Sequence, residues 1–502
     1  MLKPTLEQAK EFTGYSVIPV CREILSDFTT PIEVLKKLRA VSRHVYILES
    51  VENQEKWGRY TFLGYNPKLE ITCINGELTV KDVLSGTVET SRQSHPADYI
   101  RQLMSRYSSP KLEGFPSFTG GLVGYFSYDY IKYSEPTLNL DAEDEEHFKD
   151  VDLMLFDKVI AFDNIHQKIV LITNISSENI DSEYAKAEKE LAEMEQLIRY
   201  GKPADIPHGK LTSEFRKLFD KEQYCAMVEK AKHYIYEGDI FQVVLSNRLD
   251  ADFDGSLLDA YRVLRATNPS PYMFFFSSDD MEIAGASPET LVKLENGTLH
   301  TFPLAGTRPR GATDEEDKRL ETELLHDEKE LSEHNMLVDL GRNDIGKISK
   351  YGTVEVEEYM QVLRYSHVMH IGSTVRGQIR DDKTALDAVE AVLPAGTLSG
   401  APKYRAMEII NELENNKRGI YGGAVGYLDF TGNLDTCIGI RLAYKKNGKV
   451  FVRSGAGIVA DSIPEKEFQE CINKAKAVVE AIKKAQQMAA YEEKENDDDI
   501  ID

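Results

Sequence analysis

The chain has 502 residues, 41% hydrophobic and 29% charged, the profile of a globular protein with large cores. No apolar run approaches the ~18 residues that a spanning helix needs. The start, MLKPTLEQAKEF, carries no apolar signal segment, so retention in the cytoplasm is expected. A formal net charge of −24 argues against nucleic-acid backbone binding, which needs a positive surface. A small anion is still allowed, because local arginines or a bound cation can reverse the potential. The five cysteines, Cys21, Cys73, Cys225, Cys437 and Cys471, never show a CxxC spacing. Reduced thiols are expected, not a disulfide framework or a structural zinc site.

The first part of the chain is rich in strands. HVYILES is one, and KLEITCINGELTVKDV predicts a hairpin turning at Asn75-Gly76. Residues 152–175 predict two more strands around Asp163-Asn164, followed by a helix over roughly 178–200. GKPADIPHGKLTS holds two prolines and two glycines and marks a linker at 201–213. This sets an N-terminal region 1–205 and a second region 213–485. The second region opens with a helix, KEQYCAMVEKAKHYIYE, stopped by Gly238, and then the strand IFQVVLS. Strands and helices alternate irregularly thereafter, so the fold class is α+β with large antiparallel sheets. GGLVGY (120–125) and GGAVGY (422–427) match at five of six positions, which allows two related halves or chance. Residues 490–502 form an acidic tail, expected to be disordered and without a catalytic role.

Two pairs of acids stand out. In KELSEHNMLVDLGRND, Glu330 and Glu333 are helical neighbours, and Leu337 and Leu340 continue their stripe inward. In DSIPEKEFQECINKAKAVVEAI, Ser462 and Glu465 have capping-box spacing, with Pro464 in the first turn. Glu467 and Glu470 there repeat the i, i+3 spacing, in line with Cys471, Lys474 and Val478. Inward acids are costly unless compensated. Four of them converging on one hard cation, Mg2+, would be. Spacing alone also fits two solvated helix faces.

Glycine-rich turns add candidates. GAGIVA (455–460) matches a dinucleotide fingerprint, but the helix begins only after Ser462, so the context is wrong. Gly455 and Gly457 instead let backbone N–H groups approach a carboxylate. LPAGTLSGAPKYRAMEII is a turn leading into a helix with Pro402 in its first turn; it is not a Walker A loop, though helix-start N–H groups favour an anion. His370 shares a predicted strand with His367, and strand histidines are often structural. Arg441, in DTCIGIRLAY, falls in an apolar strand, where a buried arginine needs an anionic partner.

Together PLAGTRPRG (303–311), EKELSEHNMLVDLGRNDIGK, LPAGTLSGAPK, YGGAVGY, CIGIR and SGAGIVADS with PEKEFQE resemble the chorismate-utilising enzymes. The resemblance covers about 215–485 as a catalytic domain. LES (48–50) and GGLVGYFSYD resemble the N-terminal region of the anthranilate synthase component I family. It implies an α/β sandwich: two large antiparallel β-sheets packed face to face, with helices outside. Isochorismate and salicylate synthases carry a lysine base in the strand that here holds Gln242. Aminodeoxychorismate synthases carry a lysine where this chain has Ala305, and tend to have GGSITGAPK where this chain has Thr397 in AGTLSGAPK. These choices point to anthranilate synthase. The implied reaction converts chorismate and ammonia to anthranilate and pyruvate, the first committed step of L-tryptophan biosynthesis.

By the same resemblance Glu333 and Glu470 bind Mg2+, with Glu330 and Glu467 nearby, partly through water. Tyr421, Arg441 and Gly455, Ala456 and Gly457 hold the enolpyruvyl carboxylate, and Gly306, Thr307 and Thr397 line the reacting side. Glu330 is the expected acid for the departing hydroxyl, and His370 the proton-transfer group in pyruvate elimination. No glutaminase motif such as GxCxG is present in the sequence, so ammonia is expected from a partner glutamine amidotransferase subunit, anthranilate synthase component II. Glu49, Ser50, Pro271, Tyr272, Met273 and Cys437 resemble a feedback site for L-tryptophan. Two alternatives remain open here: an aminodeoxychorismate synthase-like enzyme, and a non-catalytic tryptophan-binding regulator.

Overall fold

The structure is a computed structural model describing residues 2–50, 58–364 and 368–498. Among the described residues, strands form two large sheets, one of 14 strands and one of 12, and every ladder within them is antiparallel. The first sheet runs Leu2–Lys3, Val17–Leu25, Lys168–Ser176, Lys158–Asp163, Tyr60–Tyr65, Val45–Glu49, then Tyr272–Ser277, Met281–Ser287, Leu442–Lys446, Lys449–Ile458, Gln242–Asp254 and Lys210–Leu211. The second runs Leu304–Pro309, Val368–Gln378, Thr298–Thr301, Thr290–Glu295, Leu434–Ile438, Ala424–Asp429, then Gly121–Phe126, Val151–Phe156, Leu69–Ile74, Glu77–Asp82 and Val88–Arg92. Both sheets are therefore continuous across the linker.

Alternation along each strand builds three layers of core. In Val45–Glu49, Val45 and Ile47 face a helix layer, while Tyr46 faces the other sheet. Met273 and Phe275 repeat this against Phe274 and Phe276. The space between the sheets is packed with aromatics, and Tyr46 of one sheet meets Phe156 of the other with ring centroids 4.7 Å apart. Helices Pro31–Arg39, Ile180–Tyr200, Leu258–Thr267 and Pro464–Asp498 cover the first sheet. Helices Pro96–Met104, Glu328–Gly346 and Ala385–Val392 cover the second.

The echo between GGLVGY and GGAVGY belongs to a repeat of the whole topology. Each half runs from an outlying strand of the first sheet through a helix to its central strand and that strand's neighbour. It then crosses to a hairpin in the second sheet, comes to the middle of that sheet, and returns to the first sheet for two strands and a closing helix. Val17–Leu25 thus corresponds to Gln242–Asp254, Val45–Glu49 to Tyr272–Ser277, and Ile180–Tyr200 to Pro464–Asp498. The hairpins turn at Asn75-Gly76 and at Asn296-Gly297, all four with positive φ, as a type I′ turn requires. The two echo segments pair side by side where the halves meet, with Gly124 opposite Gly426.

Three expectations change. Residues 151–176 form three strands instead of two, because the chain leaves the second sheet after Phe156 and enters the first at Lys158. The acidic terminus is helical through Asp498, since its Glu- and Lys-rich sequence propagates a helix already anchored by packing; residues 499–502 lie outside the described residues. Ser462 does not close a capping box with Glu465; its hydroxyl accepts from the Val459 N–H at 3.1 Å. All five cysteines are free. No helix among the described residues is long and apolar enough to cross a membrane.

A Cβ on Gly124 would lie 2.0 Å from the Asp152 carbonyl oxygen, at φ +151°. Gly124→Ala is expected to cost about 3 kcal/mol or more, read as a large fall in Tm. Gly86→Ala, at φ +73° in open space, is expected to cost only about 1 kcal/mol. Equal Tm changes would show that the pairing of Gly121–Phe126 with Val151–Phe156 is not tight at this point.

Candidate active site

The helix Glu328–Gly346 is capped by the Asp327 carboxylate, which accepts from the Lys329 and Glu330 N–H groups. That cap places Glu330 and Glu333 at the positive end of the helix, over the second region's strands. Leu337 and Val338 bury the helix behind them. Burial pushes the Glu333 carboxyl up from its ordinary value; Glu330 adds to this, while Lys329, Lys474 and a hydrogen bond from Gln242 oppose it. Glu467, at the start of the C-terminal helix, is pushed up in the same way by burial, with Glu470 adding and Ser462, Lys329 and Lys474 opposing. Lys329 of one helix and Lys474 of the other act on both acids, so the two glutamate pairs face one cleft.

Lys474 ties the C-terminal helix to the glycine strand. Its ammonium pairs with Glu470 at 2.7 Å and donates to the Gly455 carbonyl at 3.2 Å. Gly455, Ala456 and Gly457 lie within the strand Lys449–Ile458, and the next helix starts at Pro464, so the dinucleotide reading is excluded by geometry. A Cβ on Gly457 would meet Gln242 Nε2 at 2.6 Å, and one on Gly455 would meet the Tyr421 hydroxyl at 2.9 Å. Backbone is thus laid bare between Gln242 and the buried Tyr421. Gly396–Leu398 makes a single 3-10 turn, and Gly400–Ala401 pairs with Gln242–Val243, bringing Thr397 to the same place. Pro402 caps the helix Lys403–Glu414 that follows.

His370 stands on Val368–Gln378 opposite Thr307. Its Nδ1 lies 2.9 Å from the Gly306 carbonyl and 3.1 Å from the Thr307 hydroxyl. A carbonyl only accepts, so Nδ1 carries the proton and Nε2 is the basic nitrogen. Burial moves the ring below its ordinary pKa, with Arg441 pushing the same way and Glu330 and the Gly306 bond opposing. His367 lies outside the described residues.

One residue differs from its sequence reading, and another had none. Arg441 is not buried in a strand: it sits between Leu434–Ile438 and Leu442–Lys446, in the left-handed region at φ 51°, with exposed side-chain surface. The kink releases it from the sheet, and the charge of Glu289 opposes the lowering of its pKa by the surrounding protein. Glu289 itself was not singled out by any spacing in the sequence. It follows Pro288 between two strands, and Thr397 Oγ1 donates to its Oε1 at 3.1 Å. Enclosure by protein raises its carboxyl to about 7, against the pull of Thr397, Arg441 and Lys474. LGYNPKL (63–69) and AGASPET (284–290) share only the Gly and Pro positions, too little to mark this corner from the sequence.

The acids suit a magnesium ion. Among the described residues no three of the four glutamates close to within 4.8 Å; the grouping that does is His44, Glu70 and Asp279. Magnesium keeps several waters and an anionic ligand, so an open set of carboxylates fits it better than a closed cage. Glu333 and Glu467 are pushed up chiefly by burial, with the neighbouring Glu330 and Glu470 adding to it, a combination that a cation would relieve. Glu330 is also held by Arg308, 3.3 Å away.

All six residues expected at an inhibitor site line one cavity of about 260 Å³ at the seam between the halves. Glu49 is not idle there: Tyr261 Oη and Arg265 Nε donate to its Oε1 at 2.5 and 2.6 Å. Tyr272 donates to Asp435 at 2.8 Å, while Met273 and Cys437 supply apolar wall.

The fold and site have counterparts. A family model described as chorismate binding enzyme matches residues 44–480. The chain belongs to this family of chorismate-binding enzymes. Its relatives over nearly the full length point to the anthranilate synthase component 1 branch. The protein of that name from Acetivibrio thermocellus is 47% identical, covering 97% of this chain and 99% of the relative. That from Aquifex aeolicus is 45% identical over the same shares. The crystal structure of anthranilate synthase component I from Streptococcus pneumoniae TIGR4 matches with a TM-score of 0.74 and 39% identity, covering 91% of this chain and 98% of that one. The menaquinone-specific isochorismate synthase of Escherichia coli, 20% identical with a TM-score of 0.67 over 95% of this chain and 99% of that one, shares the fold.

Because the folded state prefers Glu289 protonated, the stability it contributes is present at low pH and is lost as pH rises from about 4.5 toward about 7. Glu289→Gln is expected to raise Tm at pH 8 and to leave it nearly unchanged at pH 5. A Tm difference that is the same at both would mean that Glu289 does not titrate in that window.

Proposed function

We propose that the chain is the chorismate-aminating subunit of an anthranilate synthase. The carrying observation is one cleft that joins two facing glutamate pairs, an arginine kinked out of its sheet, a bared glycine strand and a protonated acid. Gln242 cannot deprotonate water and Ala305 cannot act as an internal nucleophile, so the amine must be supplied. Ammonia adds to C2 of chorismate while the C4 hydroxyl leaves as water. The C2 proton is then lost and the C3–O bond breaks, releasing pyruvate and the aromatic ring.

Glu333 and Glu470 would hold Mg2+, with Glu330 and Glu467 close by. The cation supplies positive charge for the ring carboxylate. Arg441, Tyr421 and the backbone from Gly455 to Gly457 receive the enolpyruvyl carboxylate. Gly306, Thr307 and Thr397 line the reacting side. The departing hydroxyl needs a proton donor near neutral pH, and Glu289 suits that task better than Glu330, whose carboxylate is paired with Arg308. His370 Nε2 takes the proton lost in elimination.

Ammonia would come from a partner glutamine amidotransferase subunit, as component 1 in the relatives' names supports. L-Tryptophan would bind the seam cavity, its ammonium competing with Arg265 for Glu49 and its indole against Met273 and Pro271. Displacing Arg265 would disturb the helix Leu258–Thr267, which packs on the C-terminal helix that carries Glu467 and Glu470. Binding there would therefore act on the active site.

Chorismate, an ammonium salt and Mg2+ are expected to yield the ortho-amino acid, with loss of turnover in excess chelator. Glutamine alone should not support the isolated chain. The para isomer as product would favour the aminodeoxychorismate reading, and tryptophan binding without any turnover would favour the regulator. His370→Ala is expected to accumulate the amino intermediate; anthranilate at the normal rate would remove histidine from the elimination.

A further inference from the structure

An acid that spends its proton in every turnover needs a route by which to regain one. The Thr397 hydroxyl donates a hydrogen bond to Glu289. Behind these two residues lies a cavity of about 50 Å³, between the second sheet and the helix Glu328–Gly346. Its walls include Leu291 and Leu337, and its far end is formed by Thr301 and Asp344. Thr301 and Asp344 are 5% and 3% exposed. Thr301 Oγ1 and Asp344 Oδ1 are buried with no hydrogen-bond partner among the described residues.

Orphaned buried oxygens are rare, and unseen water is their usual explanation. A water site needs roughly 10–15 Å³ of such space and two to four polar partners. This cavity has the room, and Glu289, Thr397, Thr301 and Asp344 are the partners. We propose that it holds a short chain of ordered water that returns protons from Asp344 to Glu289, with Thr301 as the hydroxyl between them. The inference rests on the reading of Glu289 as the acid.

The proton balance closes. Glu289 gives its proton to the C4 oxygen, which departs as water. The carboxylate takes a proton from the adjoining water, which takes one in turn from the Asp344 carboxyl. Asp344 is refilled from solvent on the side of Lys347, whose half-exposed ammonium lies 3.6 Å from Oδ1. Lys403 holds the other oxygen, Oδ2, at 2.8 Å and fixes the carboxyl's orientation. Burial pushes Asp344 up from the usual carboxylate range, against the pull of Lys403 and Lys347. Gly341, one turn before Asp344, leaves the Thr301 hydroxyl its space: a Cβ there would lie 3.1 Å from Oγ1.

The test uses the full chain with chorismate and ammonium salts. Thr301→Val removes the hydroxyl without changing shape, and Gly341→Ala crowds it while favouring the helix. Each is expected to lower kcat by about tenfold, less than the roughly hundredfold or more that losing the acid itself would cost. The KM for chorismate should be unchanged and the solvent deuterium isotope effect larger. Thr301→Ser should recover the rate lost in Thr301→Val, and Asp344→Asn should behave like Thr301→Val. The relay is overturned if these variants keep the wild-type kcat and isotope effect, or if they change KM alone. Glu289→Gln separates the two layers: full activity in it removes the acid itself, whereas its inactivity beside an unaltered Thr301→Val removes only the relay.

Discussion

The seam where Gly121–Phe126 pairs with Ala424–Asp429 holds the molecule together. Two halves of the same topology meet there and, in the first sheet, at Val45–Glu49 against Tyr272–Ser277. A Cβ at Gly121, Gly124 or Gly426 would lie about 2 Å from a carbonyl oxygen of the neighbouring strand. The Gly121 contact, with Leu428, crosses the seam, while those of Gly124 and Gly426, with Asp152 and Asp435, are to the strand on the other side. Glycine here keeps both flanks of the seam close, and the shared sheet closes over a common aromatic core. The cleft, the seam cavity and the helix layers are consequences of that closure.

The duplication explains why one half is chemically equipped and the other is not. Glu289 follows Pro288 at the entry to one hairpin, and Lys68 follows Pro67 at the entry to the other. Lys68 pairs at 2.9 Å with Asp157, which sits in the link that corresponds to Arg441's. The pair has the same place with the charges exchanged. Glu467 and Glu470 open the C-terminal helix, while Glu183 and Lys186 open its counterpart and pair with each other at 2.5 Å. Acid and cation there neutralise one another, and no like-charge crowding is left for a metal to relieve.

Crowded carboxylates in an acidic protein are what the site is built from. Four glutamates would repel a dianion were they alone. Arg308, Lys329, Lys474 and Arg441 reach the same cleft from separate elements and offset part of that charge. What remains is a local excess of acid with raised proton affinity, the electrostatic condition under which a divalent cation binds and carries a carboxylate with it.

The architecture was legible in the chain itself. Alternation, Asn-Gly turns and paired glycines act between near neighbours, so antiparallel sheets and both glutamate helices could be derived from spacing, and the motifs named the family. The proposed acid could not. Glu289 has an ordinary sequence context, and its proton affinity is raised by enclosure in protein, against the opposing pull of Thr397 and Arg441, more than a hundred residues away. Arg441 in sequence is a strand residue; only the left-handed kink frees it. Ser462 has the spacing of a cap, but its hydroxyl is taken by Val459. Local patterning therefore determined which segments form and which faces are buried. The fold alone decided which acid keeps its proton, because desolvation and neighbouring charge depend on what distant segments bring to a point.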